Sequence, residues 1–317
     1  MSGRCPACGD DALLPWRAAT ASDPALAGVA RVELERCRSC GSAATLGSPP
    51  PAAVYEGGTY TAARGASAPL LAPLRGLADR DRMRFIAGLR AGDRVLEVGS
   101  GDGKFLARMR ARGLDAWGIE PSPAACAAAR ALGVETLCAG VDSAEVEPAS
   151  QDAVVLWHSL EHLDDPAEAL RRIRGWLRPA GTLIVAVPNL AGLQARIGGD
   201  RWFHQDVPRH RTHFTPAGLA ALLGRSGFAV TRTRHLLVEQ NPLGMWQTLL
   251  NLVTIQRDFA FRLLKRDLGP VSRGQAMRDL ALTAALGLPV AVVAAGLELL
   301  AGLAGRGGSM VVEGGAT

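Results

Sequence analysis

Between residues 94 and 188 the hydrophobic pattern switches back and forth between two periods, and no other feature constrains the fold as tightly. Short apolar runs of strand type, "RVLEVGS", "DAWGIE", "VETLCAG", "QDAVVLWH" and "GTLIVAVPN", alternate with helical patterns, "GKFLARMRARG", "SPAACAAARALG" and "DPAEALRRIRGWLR". Parallel strands need crossovers long enough to hold a helix, so this alternation predicts an α/β fold with a parallel sheet covered on both faces. A helical pattern over 75–89 precedes it; "TPAGLAALLGRSG" (helix), "FAVTRTRHLLV" (strand) and a last short strand, "SMVVEG", follow.

The flanks divide the chain further. Residues 1–46 carry two C-x-x-C pairs, Cys5/Cys8 and Cys37/Cys40, each followed by glycine, with "RVELERC" a strand entering the second pair. Paired thiolates at this spacing clamp one tetrahedral Zn2+, so a small N-terminal zinc ribbon with a structural ion is expected; a redox pair or unrelated thiols are the alternatives. Cys126 and Cys138 stand apart and read as small core residues. Residues 47–74, rich in Pro, Ala and Gly, read as a linker. The core spans 75–239, an apolar helical insert or lid 240–306, and the final strand and tail 307–317.

Chemistry concentrates first in "RVLEVGSGDGKF". Glu97, Gly99, Ser100, Gly101 and Gly103 end a strand and open a helix, where free backbone N–H groups let a ligand approach closely. A dinucleotide fingerprint wants a third glycine where this chain has Lys104, which favours a nucleoside without a pyrophosphate. The next strand ends in "GIEPS", setting Glu120, followed by Pro121, where a carboxylate can accept from both ribose hydroxyls. A Gly-rich turn beside a solvated glutamate is the plain alternative.

"WHSLEHLDDP" contains H-x-x-E-H, the inverted zinc-protease pattern, which requires both histidines on one helix. Here a strand precedes the motif, and Asp165-Pro166-Ala167-Glu168 looks like a capping box, so the helix should begin after the histidines. That excludes the peptidase geometry and leaves a strand end and a loop.

Taken together, "LEVGSGDG", "GIEPS", "DAVVLWHSLEHLDDP" and "LRPAGTLIVAVPN" resemble the class I S-adenosylmethionine-dependent methyltransferases over roughly residues 75–235. Closer still is a bacterial group loosely related to the ubiquinone-biosynthesis methyltransferases, through "ERCRSCG" and "DVPRHRTHFT". The resemblance implies a Rossmann-like seven-stranded sheet with the last strand antiparallel, and S-adenosyl-L-methionine as cofactor. It sets Trp157, His158 and Ser159 beside the methyl donor and makes Asp142 the candidate adenine-binding acid. Some quinone-pathway relatives hold a divalent ion in this loop with an acid, a Glu and a His; this chain has His158 in place of the acid. His162 is either a base or a structural hydrogen-bonder.

Methyl transfer from a sulfonium needs alignment, and an oxygen or carbon nucleophile must also lose a proton. "RWFHQDVPRHRTHFT" follows the fifth strand and brings Trp202, His204, Asp206, Arg209, His210 and His213 to the carboxyl edge of the sheet, where ligands bind in such folds. His210 is the first candidate base, with His162 and His213 behind it, and Arg209 suits an anionic group on the acceptor. Asp206, Arg209 and His213 can equally form a structural network.

The stretch 280–303 carries no charge between Asp279 and Glu298, near the length of a membrane span. Its Pro289 and glycines, and the return to a final strand, favour a buried or interfacial hairpin over a single crossing. The opening "MSGRCPACGDD" lacks an apolar core segment, so a cytoplasmic location with possible membrane association is expected. The net charge of +5 is scattered, and residues 1–45 offer one tryptophan and few arginines clear of the cysteines, so a nucleic-acid partner is not indicated. The leading function is methyl transfer to an oxygen or carbon of a small-molecule, sugar or lipid-linked acceptor. A ribosomal-RNA methyltransferase with an RNA-gripping ribbon and a non-catalytic zinc-ribbon scaffold are the competitors.

Overall fold

The computed structural model describes residues 3–21, 26, 31–50, 80–265, 268–269 and 271–317. Eleven strands are found among them: β1 (Leu13–Ala19), β2 (Val32–Cys37), β3 (Ala43–Thr45), β4 (Arg94–Val98), β5 (Asp115–Ile119), β6 (Thr136–Leu137), β7 (Gln151–Trp157), β8 (Leu177–Pro188), β9 (Thr212–His213), β10 (Phe228–Arg234) and β11 (Ser309–Ala316). Seven build one sheet in the order β10-β11-β8-β7-β4-β5-β6. The pairs from β8 to β6 are parallel, whereas β11 runs antiparallel between β8 and β10, as expected of the methyltransferase sheet. Strand β7 lies at the centre, and every residue from Ala153 to Trp157 is buried, because both its faces are covered.

Helices α1 (Lys104–Ala111), α2 (Pro123–Ala131), α3 (Pro166–Trp176), α4 (Leu193–Gly198) and α5 (Pro216–Arg225) connect the strands. Leu170, Ile173 and Trp176 of α3 share one core cluster with Leu219 and Leu222 of α5. Phe105, Leu106 and Met109 of α1 pack with Met83, Phe85 and Ile86 in another. The capping signal is realised: the Asp165 carboxylate accepts from Glu168 N at 2.9 Å and Pro166 opens α3; α5 is capped too, by Thr215 Oγ1, which accepts from Gly218 N at 3.0 Å. Of the expected helix over 75–89, residues 80–85 are helical, and its first part lies outside the described residues, as does the linker beyond residue 50. The run "VETLCAG" forms only the two-residue strand β6.

Three expectations change. Cys126 and Cys138 are bonded to each other, because the β5–α2–β6 crossover brings their Cα atoms to 6.0 Å. The ribbon is not self-contained: β1, β2 and β3 form an antiparallel sheet whose fourth strand, β9, comes from the middle of "PRHRTHFT". The insert folds as α6 (Asn241–Asn251), α7 (Phe259–Lys265) and one 31-residue helix, α8 (Arg273–Leu303). Pro289 lacks the N–H that would bond back to the carbonyl of residue 285, yet α8 continues through it, so the apolar stretch is not itself a hairpin.

Candidate active site

The turn after β4 is built from left-handed glycines, with φ of 77° at Gly99, 55° at Gly101 and 73° at Gly103. A Cβ on Gly99 would lie 2.7 Å from Ser159 Cβ, and one on Gly103 would collide with Val134 and Ala129 at 2.6–2.7 Å. A Cβ on Gly101 would meet nothing within 4 Å, so this turn faces open space at its middle residue. Glu120, at the end of β5, closes the same corner: Oε2 accepts from Gly101 N and Oε1 from Ser122 N, both at 2.9 Å. Each of those oxygens keeps a second lone pair for a ligand hydroxyl. Ser100 is buried against Gly118, and Pro121 is exposed. Glu97 is buried with Arg82 Nη2 4.0 Å away; burial pushes its carboxyl up to about 8 against the pull of that arginine. Glu97 Oε2 has no hydrogen-bond partner among the described residues. Open space at Gly101, small residues and an orphaned buried carboxylate oxygen fit an adenosyl ligand with an amino-acid end. Asp142 is exposed in the loop after β6.

The loop after β7 forms the second wall. No helix runs through His158 and His162; Leu160–His162 is a single 3-10 turn, which removes the peptidase geometry. Ser159 Oγ donates to the Val98 carbonyl at 2.8 Å, locking this loop onto the glycine turn. Trp157 is buried, its indole 5.6 Å from the Phe85 ring and 6.2 Å from that of Phe105, with the Arg82 guanidinium 4.8 Å over it. His158 holds φ 54°, a conformation that costs a residue with a Cβ and that concentrates at functional sites. Its Nδ1 lies 3.2 Å from Glu161 Oε1, and its Nε2 has no partner among the described residues.

Three imidazoles of the later segment, His204, His210 and His213, meet this loop. His210 Nδ1 donates to the His204 carbonyl at 2.9 Å and His162 Nδ1 to that of Arg209 at 3.1 Å, so each presents the lone pair of Nε2. His210 Nε2 is 4.0 Å from Glu161 Oε1 and 3.9 Å from Asp206 Oδ2. His204 stacks on His158 at 6.2 Å, and His213 Nε2 lies 3.0 Å from Thr45 Oγ1. Burial pushes His158, His204, His210 and His213 down to about 3, which keeps them neutral, each with one ring nitrogen unprotonated. Burial raises Glu161. Asp206 behaves in the opposite way: although burial alone would raise it, the Arg209 fork at 2.6–3.1 Å holds its carboxyl at about 2. Glu161, His162 and His210 offer ligand atoms within 4.8 Å of one another and could hold a metal ion.

The sequence-chosen histidines therefore converge, and Trp202, buried against Ala43, Leu190 and Ala195, meets the His204 ring edge-on at 6.0 Å. Glu161 was missed although H-x-x-E-H displays it; it lies 3.2 Å from His158 Nδ1 and 4.0 Å from His210 Nε2. Arg82 and Thr45 gave no signal, since they reach the site only through the tertiary fold. The four ribbon cysteines also converge, with Cys5 and Cys40 sulfurs 3.6 Å apart and Cys8 and Cys37 likewise. Gly9 and Gly41, at φ 82° and 75°, form the knuckles behind them.

Residues 72–233 match the family described as "Methyltransferase domain". The chain is 29% identical over 165 residues to the ubiquinone biosynthesis O-methyltransferase of Xanthomonas euvesicatoria pv. vesicatoria, covering 47% of this chain and 68% of that one. It is 28% identical over 191 residues to the enzyme of the same name from Cupriavidus pinatubonensis, covering 56% and 75%. A solved SAM-dependent methyltransferase from Archaeoglobus fulgidus aligns with a TM-score of 0.49 at 19% identity, covering 76% of this chain and 94% of that one. The chain belongs to the methyltransferase-domain family and is a class I S-adenosylmethionine-dependent methyltransferase.

Proposed function

We propose that the enzyme transfers the methyl group to an oxygen or carbon of a small-molecule, sugar or lipid-linked acceptor, by in-line displacement, from the cytoplasmic side of a membrane. Bound S-adenosylmethionine would supply an electrophilic methyl on a sulfonium. Glu97, the 99–103 turn, Glu120 and Asp142 would hold it, and Ser159 would fix the loop at its methionine end. The ubiquinone-pathway relatives are O-methyltransferases by name, which favours a hydroxyl acceptor.

The observation that carries the mechanism is the His158–Glu161 pair: one ring nitrogen faces a carboxylate at 3.2 Å, and the other is buried, unpartnered among the described residues and next to the loop locked on the glycine turn. We assign the base to His158, oriented by Glu161, in preference to His210, whose Nε2 faces two carboxylates. His162, His210 and His213 would then position, with Arg209 and Asp206 fixing the loop and His204 facing the acceptor. A divalent ion on Glu161, His162 and His210 is a second assignment, favoured by their 4.8 Å clustering. The ribbon cysteines are assigned one structural Zn2+ by their convergence. An RNA acceptor is disfavoured because Trp16, the ribbon's aromatic, is already covered by Arg17 at 3.9 Å and Arg36 at 5.3 Å.

The test is transfer of labelled methyl groups from S-adenosylmethionine into lipid, glycan and RNA pools of a cell extract. Label in lipid or glycan that disappears with His158→Asn but survives chelation supports the base. Loss on chelation, restored by a divalent ion, supports the ion instead. Label in RNA overturns the acceptor class.

A further inference from the structure

We infer that α8 is an in-plane docking face for an anionic lipid bilayer, rather than a membrane span or a subunit contact. Met277, Leu288, Val292, Leu299 and Leu303 recur at spacings of eleven, four, seven and four residues, which puts them on one side of the helix. They are 50–78% exposed. The opposite side faces the protein and carries the polar groups: Asp279 and Glu298 are buried there with Ala294 and Ala301. The helix is thus inverted relative to one that packs on a core in water, apolar outward and acidic inward. Only 11% of its most apolar stretch is buried. An apolar stripe of this length, about 39 Å from end to end, is far beyond the scattered exposed residues of an ordinary surface.

The inward contacts rule out a crossing. Asp279 accepts from Ile255 N at 2.9 Å and Gln256 N at 2.8 Å, Trp246 Nε1 donates to the Gly287 carbonyl at 2.8 Å, and Glu298 Oε2 accepts from Gly308 N at 3.1 Å. Start, middle and end of α8 are tied to the same domain, so its two ends cannot lie on opposite sides of a bilayer roughly 30 Å thick. A helix held flat by its inner face can bury its outer face only to the depth of the headgroup and acyl boundary.

Charge selects the partner. Arg273, Arg278 and Arg306 are exposed at the two ends of the stripe, whereas Asp258, Asp279 and Glu298 are buried. A surface that is apolar along its middle and cationic at both ends complements anionic headgroups above acyl chains. It does not complement itself: parallel or antiparallel, a second copy laid along α8 would bring arginines against arginines. The face also lies one helix from the chemistry. Between α8 and the histidine cluster runs α6, whose Gly244 comes so close to His204 that a Cβ would sit 2.6 Å from Nε2. A lipid-linked acceptor would reach the site from this side, so the inference deepens the proposed acceptor class and rests on it for its purpose, though not for the binding itself.

The test is sedimentation of the full chain with vesicles of phosphatidylethanolamine containing phosphatidylglycerol, against vesicles of phosphatidylcholine alone, with S-adenosylmethionine affinity and oligomeric state measured on the same samples. Binding to the anionic vesicles is expected, weakening with salt. Leu288→Gln with Val292→Gln should lower it about tenfold or more, and Arg273→Gln or Arg278→Gln about fivefold each. Cofactor affinity should stay unchanged in all of these variants, which shows that they fold. No binding to anionic vesicles, equal binding to neutral ones, or a dimer that the Leu288/Val292 variant dissolves would each overturn the inference. Failure of methyl transfer with vesicle binding intact would count against the acceptor class alone.

Discussion

The donor wall and the acceptor wall of the site are made in different ways. The donor wall, from Glu97 to Glu120, is one β–α–β unit in which backbone amides hold a carboxylate and glycines make room. Its buried acid, Glu97, is held neutral by burial. The acceptor wall is drawn from three distant segments: the loop at 158–162, the segment 202–213 and the ribbon, joined where Thr45 Oγ1 donates to the His210 carbonyl at 2.7 Å and β3 pairs with β9. Its half-buried acid, Asp206, is held ionised by an arginine, while burial raises its fully buried one, Glu161. A wall made locally tolerates loss of distant parts; a wall sewn together from afar should not.

The largest effect expected is on pH dependence. Glu97 binds its proton more tightly in the folded protein, at about 8 against an ordinary 4.5, so between these values the folded state holds more protons than the unfolded one. Stability of the cofactor-free enzyme should be full below pH 4.5 and fall as pH rises towards 8, by roughly 5 kcal/mol before solvent relaxation trims it. Glu97→Gln should flatten that slope in denaturant titrations across pH; an unchanged slope would put the neutral acid elsewhere. Glu120→Ala should weaken S-adenosylmethionine binding about hundredfold by calorimetry, since two hydrogen bonds to a charged oxygen are lost. Full retained affinity would remove the ribose role. Cys37→Ser with Cys40→Ser should speed amide exchange over residues 204–215 by about tenfold or more while cofactor affinity stays within about twofold, because the ribbon supports one wall only. Equal damage to both walls would end the comparison. Smallest, Thr45→Val should cost about 1–2 kcal/mol, two hydrogen bonds' worth, and shift the ring-nitrogen resonances of His213, with Thr45→Ser restoring both.

This contrast also explains what could be read before folding. The alternation of strands and helices, the cap of α3 and the glycine turn follow from signals within a few residues of one another, whereas the antiparallel last strand is legible only through the family resemblance. Ser42 and Thr215 bond across 173 positions, and Thr45 meets His213 across 168; no local pattern announces such pairs. Glu161 was visible in its motif, but only tertiary packing shows that it faces His158 and His210 together. The insert misled for a physical reason: proline and glycine counted as breakers, whereas the inward bonds of Asp279 and Glu298 keep α8 whole.

The pairing of β3 with β9 has a consequence for biosynthesis. All four ribbon cysteines and the first three strands are synthesised by residue 50, whereas β9, the outer neighbour of β3 among the described residues, follows only at residues 212–213. For most of translation the nascent chain carries an unpaired strand edge, a template for unwanted pairing. Early capture of a metal ion would keep those first strands in shape until their last neighbour arrives.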